Sequence, residues 1–141
     1  KIKEFLVNAI DEDTNAFDKV IKAMRMPKDS EIEKKLREEK MQEGYKSATE
    51  IPLKTVEYCC KALEICERIA KLMDNSMASD VGSGAHMSIA GARAAAYNVK
   101  INLTSIKDKK YINKTEKELN LLLSNCEKLL EDISKKIEEK I

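Results

Sequence analysis

The strongest constraint on the fold is the spacing of the apolar residues, which recur at steps of three and four and nowhere alternate at two. From Ile2 to Met24 the residues Ile2, Phe5, Leu6, Ala9, Ile10, Ala16, Phe17, Val20, Ile21 and Met24 keep that spacing, which is the period of an amphipathic helix. Pro27 stops it. Ser30 followed by Glu33 is the signature of a capping box for a second helix with a stripe of Ile32, Leu36, Met41, Tyr45 and Ala48. Proline lacks the backbone donor and clashes with the preceding turn, so the reading breaks or kinks this helix at Pro52. It places a further helix from about Leu53 to Met73, with Val56, Cys59, Cys60, Leu63, Cys66, Ile69, Ala70 and Met73 inward. Asp74 to Asp80 reads as a turn, with Ser79 or Asp80 capping a helix of about Asp80 to Ser105. Thr115 and Glu118 suggest a second box, starting the last helix near Asn113 or Thr115. The pattern predicts an all-α helical bundle of four to five long helices.

Composition agrees with that pattern. The chain has 141 residues, one domain spanning 1–141 by length. Four glycines, two prolines and 4% aromatic residues against 36% charged ones suit long helices. A net charge of +1 gives no basic field for nucleic acid. No apolar run approaches the ~20 residues of a membrane span. The four cysteines, Cys59, Cys60, Cys66 and Cys126, form no C-x-x-C pair and have one histidine to help them, so a zinc site is rejected and no metal is expected. They read as buried thiols of a reducing, cytoplasmic compartment.

A few residues depart from the plain pattern. Asp13 shares the apolar stripe of the first helix with Ile10 and Phe17, and a carboxylate on a buried stripe is paired, protonated or functional. Periodicity leaves the structural ion pair and the functional group both open. Arg25 and Lys28 flank Pro27 where the first helix ends; the helix dipole favours cations there, and the same two would suit a ligand carboxylate. The helix from Asp80 is built of small residues, Gly82, Gly84 and Gly91 among them. Each glycine costs a helix about 1 kcal/mol against alanine, so close packing or ligand access is expected there. Asn98 and Asn102, four apart on that helix, align with Ser88, Gly91 and Ala95. His86, the lone histidine, reads as a surface residue.

Three stretches together carry a resemblance: Asp11-Glu12-Asp13-Thr14-Asn15-Ala16-Phe17, then Ala23-Met24-Arg25-Met26-Pro27-Lys28, then Ser79-Asp80 leading to Tyr97-Asn98-Val99-Lys100-Ile101-Asn102-Leu103, with Glu50-Ile51-Pro52-Leu53 between them. In this order and spacing, from about residue 6 to 107, the chain resembles the cyclodeaminase domain of formiminotransferase-cyclodeaminase and its stand-alone bacterial relatives. The resemblance implies a helical domain that forms a homodimer or larger homo-oligomer and binds a tetrahydrofolate. It implies cyclisation of 5-formiminotetrahydrofolate to 5,10-methenyltetrahydrofolate with loss of ammonia, without metal or redox cofactor. The family's acid/base aspartate matches Asp13; Arg25 and Lys28 would meet the glutamate tail, and Asn98 and Asn102 the pterin or a dimer contact. A methenyltetrahydrofolate cyclohydrolase, which the same family contains, is the alternative activity, and a non-catalytic assembly bundle the alternative of another class. The family's glycine-rich Pro-Gly-Gly-Gly segment is lacking here, so the chain is expected to be a fragment that is inactive alone. A formiminotransferase domain lying upstream is a further expected partner.

Overall fold

The structure, a computed structural model, describes residues 1–141. It contains α1 (Ile2–Met24), α2 (Glu31–Leu72), a single 3-10 turn (Asn75–Met77), α3 (Ala78–Leu103) and α4 (Lys109–Glu138). The all-α bundle read from the period is what forms, with four long helices.

α2 is the spine. It runs unbroken for 42 residues, about 63 Å at the rise of an α-helix. Its start is the expected box: Ser30 Oγ accepts from the Glu33 N–H at 3.2 Å while Glu33 Oε2 accepts from the Ser30 N–H at 2.9 Å. The expected break at Pro52 does not occur; Pro52 lies inside the helix. The proline removes one donor, the one that would reach the Ala48 carbonyl. Ala48, Pro52 and Val56, at successive four-residue steps, are all buried, and their packing offsets that local loss. The start of α2 differs in another way, since Ile32 and Leu36 are exposed and do not join the inward stripe.

Two further boundaries are corrected. Asp74 accepts from the Ser76 N–H at 2.9 Å and caps the 3-10 turn, which runs straight into α3, so neither Ser79 nor Asp80 is needed as a cap. α4 starts at Lys109, a turn or more ahead of the expected Asn113 or Thr115, because Asp108 Oδ1 accepts from the Lys110 and Tyr111 N–H groups at 3.1 Å. Thr115 is buried inside α4.

The main core lies among α2, α3 and α4. Val56, Leu63, Ala85, Ala92, Val99, Leu119, Cys126 and Ile133 form its centre. Cys59, Cys60 and Cys126 are buried thiols and Cys66 is half-buried; none is in a disulfide. α1 is set apart: its close backbone contacts are with α2 alone, through a small core of Ala16, Val20 and Ala48 and a stack of Phe5 on Tyr58 with ring centres 3.8 Å apart. The approach is closest at Gly44, where a β-carbon would stand 3.0 Å from Val20 Cγ2 and 3.1 Å from the Val20 nitrogen. No helix is long and apolar enough to cross a membrane.

Candidate functional site

α1 and α3 both lie on α2, and their backbones do not come close to each other. A cleft therefore remains between them, floored by α2. Ile2, Leu6 and Ile10 line it from α1, Ala62 and Cys66 from α2, and Gly84 and Ser88 from α3. It is mostly apolar, with a volume of about 550 Å³. Of the three glycines of α3 only Gly84 lines that wall, and a β-carbon at Gly82 would instead meet Ile137 Cδ1 of α4 at 3.2 Å. A β-carbon at Gly91 would sit 3.2 Å from Cys59 Sγ, so close packing on α2 accounts for that small residue.

Asp13 lies one helical turn beyond Ile10 on the same face of α1, since residues three and four apart are neighbours on a helix. That face is open rather than buried: Ile10 is 69% exposed, Phe17 45% exposed, and Asp13 itself exposed. The buried stripe of α1 is instead Ala9, Ala16, Val20 and Ala23. Around Gly44 α1 docks through its smaller side chains, because only they allow the approach seen there, and Ile10 and Phe17 are left facing out, while Phe5 at the start of α1 packs on Tyr58. Asp13 has no salt bridge and no hydrogen bond to the protein; the ten ion pairs of the chain all lie elsewhere. Partial burial by its neighbours pushes its carboxyl above the ordinary aspartate value, because desolvation disfavours the charged form. Of the readings that periodicity left open, a structural ion pair within the chain is absent.

The other candidates lie at different levels along the helices and differ in exposure. Asn102 of α3 bonds to Ala48 of α2, which packs on Ala16 and Val20 of α1 about one helical turn from Asp13; Asn98 lies one turn before Asn102 on α3. Asn98 is exposed and makes no hydrogen bond, whereas Asn102 is half-buried and donates from Nδ2 to the Ala48 carbonyl at 2.9 Å. Arg25 ends α1 and Lys28 sits in the following turn, both exposed and outside any ion pair. Arg25 is twelve residues beyond Asp13, about 18 Å along the helix. An elongated ligand could touch Asp13 and these cations together; a small one could not. His86 is exposed. Arg93, on the same edge of α3, is committed to Glu127 of α4 by two bonds of 2.8 and 2.7 Å.

One cationic feature was missed in the sequence. Lys19 and Lys22 of α1, with Lys40 of α2, border a second cleft of about 390 Å³ around Gly44 and Ser47. Lys19 Nζ donates to Ser47 Oγ at 3.1 Å, and Lys40 pairs with Glu43 at 2.7 Å. The signal was the three-residue spacing of Lys19 and Lys22, indistinguishable by itself from a solvated face.

Known proteins resemble this chain in sequence and in fold. A methenyltetrahydrofolate cyclohydrolase of Methylorubrum extorquens is 32% identical over 140 residues, which cover 99% of this chain and 67% of that protein. The formimidoyltransferase-cyclodeaminase of Gallus gallus is 31% identical over 121 residues, 86% of this chain and 22% of that protein. The solved structure of formiminotetrahydrofolate cyclodeaminase from Thermotoga maritima superposes with a TM-score of 0.86 over 98% of this chain and 65% of that one, at 24% identity, and so shares the fold. The chain thus spans about two thirds of the bacterial proteins and about a fifth of the animal one. With residues 1–121 matched by the family model for formiminotransferase-cyclodeaminase, the chain belongs to the formiminotransferase-cyclodeaminase family.

Proposed function

We propose that this chain is the helical core of an enzyme of one-carbon folate metabolism that cyclises 5-formiminotetrahydrofolate to 5,10-methenyltetrahydrofolate with release of ammonia. The observation that carries the reading is Asp13: a carboxyl without an ion partner, held above its ordinary pKa, on the face of α1 that borders an open groove. N10 of the folate attacks the formimino carbon. With the formimino group entering as its protonated amidinium, Asp13 takes the N10 proton after attack and passes it to the formimino nitrogen, which departs as ammonia and leaves the methenyl cation. The carbon keeps its oxidation level, so the reaction as written needs no redox cofactor and no metal. One carboxyl can serve both transfers when its pKa is raised toward the working pH, and its negative form stabilises the methenyl cation. Binding in a cyclisation-ready pose supplies much of the remaining rate.

Arg25 and Lys28, at and just beyond the C-terminal end of α1, would take the glutamate tail, and Asn98 the pterin. The enzyme would act as a homodimer or larger homo-oligomer, because Val7, Ile10, Phe17, Met87, Tyr97 and Ile101 are all exposed and such faces find partners. Four cysteines outside any disulfide are consistent with a reducing cytoplasm. The runner-up activity is hydrolysis of the methenyl group, favoured by the cyclohydrolase relative that aligns with almost the whole chain. The purified native gene product, incubated with 5-formiminotetrahydrofolate, should release ammonia as the absorbance of the methenyl product rises. Accelerated loss of methenyl absorbance from 5,10-methenyltetrahydrofolate, with no ammonia from the formimino compound, would select the cyclohydrolase instead.

A further inference from the structure

Asn102 and Pro52 are separated by fifty positions, yet they meet at one atom. In a regular helix the carbonyl of residue 48 accepts from the N–H of residue 52. Residue 52 is a proline and has no N–H. The Ala48 carbonyl, buried with its residue between α1 and α3, instead accepts from Asn102 Nδ2 of α3 at 2.9 Å. No buried side-chain polar atom of the chain lacks a partner, and this bond leaves the carbonyl opposite the proline satisfied as well. We propose that Asn102 is a positioning residue: its amide replaces the donor that Pro52 lacks and thereby ties α3 to Ala48 of α2, which packs on Ala16 and Val20 of α1 about one helical turn from Asp13. It acts through α2 and does not itself hold the ligand. The role in turnover rests on the proposed function; the replacement of the donor does not.

The two parts are separated by a double-mutant cycle on Asn102→Ala and Pro52→Ala. Asn102→Ala leaves the Ala48 carbonyl without its partner and lowers the midpoint of urea unfolding. In the Pro52→Ala background the N–H of residue 52 returns, so the same change should shift the midpoint by less than half as much. Equal shifts in the two backgrounds would overturn the replacement. The tether is lost in both backgrounds, so amide exchange over Val99–Leu103 should quicken in Asn102→Ala and remain quick in the double variant. If exchange there is unaltered, the tether is wrong. In the native gene product, kcat should fall roughly tenfold with KM within twofold, the sign of a misplaced reacting pose, and should stay low in the double variant although its stability is regained. Recovery of kcat together with stability would make Asn102 merely structural and sink the positioning role. Should Asn102→Ala fail to fold, Asn102→Asp offers the same shape without the donor and is read in the same cycle. Absence of turnover in the unaltered protein would overturn the proposed function alone, since unfolding and exchange judge the bond independently.

Discussion

Alanine at Gly44 should loosen the one helix that carries Asp13. The new β-carbon would lie 3.0 Å from Val20 Cγ2, 3.1 Å from the Val20 nitrogen and 3.2 Å from Val20 Cα. A methyl group could swing aside, but two of the three atoms are backbone, so relief requires α1 to move. Alanine gains about 1 kcal/mol over glycine inside a helix, while overpacking costs about 1–3 kcal/mol. The net loss is up to about 2 kcal/mol, a fall of several degrees in Tm for a domain of this size. Gly84→Ala is the internal control. Its nearest neighbour would be Cys66 Sγ at 3.5 Å, an ordinary contact, so helix propensity should dominate and stabilise the chain by about 0.5–1 kcal/mol. Urea unfolding followed by circular dichroism, with m unchanged between variants, reads both. A Gly44→Ala chain as stable as Gly84→Ala would show that α1 does not press on α2 at Val20. Since α1 has no second helix to hold it, amide exchange in α1 should quicken more than exchange in α4.

Asp13→Asn should lower turnover roughly 100-fold, the scale of losing a general acid/base, with folate binding retained; turnover near that of the unaltered enzyme would place the chemistry elsewhere. The same change should also leave a pH signature: the folded-state pKa of Asp13 is raised, so its contribution to stability is fully present below the unfolded value and is lost as pH rises through the folded one. The asparagine variant should then be the more stable at neutral pH, with the difference vanishing in acid below the ordinary aspartate range. Arg25→Ala and Lys28→Ala should raise KM several-fold and leave kcat near its original value, and added salt should weaken the effect because both cations are exposed; unchanged KM in both removes them from the ligand. Leu119→Ala, at a fully buried position between the helices of the main core, should cost about 2–5 kcal/mol in thermal unfolding, and a loss below 1 kcal/mol would mean that the α4 interface collapses around the cavity.

What the sequence made legible was whatever local chemistry decides. The bounds of α1 follow from its own period and from the stop near Pro27. The start of α2 follows from Ser30 and Glu33, which satisfy each other across three residues. Pro52 was misread for the complementary reason. A proline announces the loss of a donor to the fourth residue before it, but the replacement comes from Asn102, fifty positions later and on another helix, and no window of sequence contains both. The start of α4 was misplaced because Thr115 and Glu118 look like a box, while Asp108 reaches two N–H groups by itself and Thr115 is drawn into the core by packing. Arg25, Lys28, Asn98 and Asn102 were picked from helix ends and spacing, which place a residue on a face but do not tell whether its polar atoms are free. Only the structure separates Asn98, with its amide available, from Asn102, with its donor already used.

The case of Asp13 shows how a candidate can be picked on a premise that the structure does not meet. The sequence places it on an apolar stripe, and such stripes usually face a core. α1 carries two stripes, however: a small one through Ala9, Ala16, Val20 and Ala23, and a large one through Ile10 and Phe17 on either side of Asp13. Closest packing on α2 selects the small one, since α2 meets it with Gly44 and Ala48. The large stripe is then left to border a groove between helices that touch only through α2. An apolar border disfavours the carboxylate form without burying it, and the absence of any cation leaves the pKa raised where an ion pair would have lowered it. A fully buried Asp13 would be sealed from a substrate, and one on the polar side of α1 would keep its ordinary acidity. In the proposed reaction that intermediate position leaves the carboxyl reachable and able to exchange a proton, because Ala9, Ala16, Val20 and Ala23, rather than Ile10 and Phe17, are buried against α2.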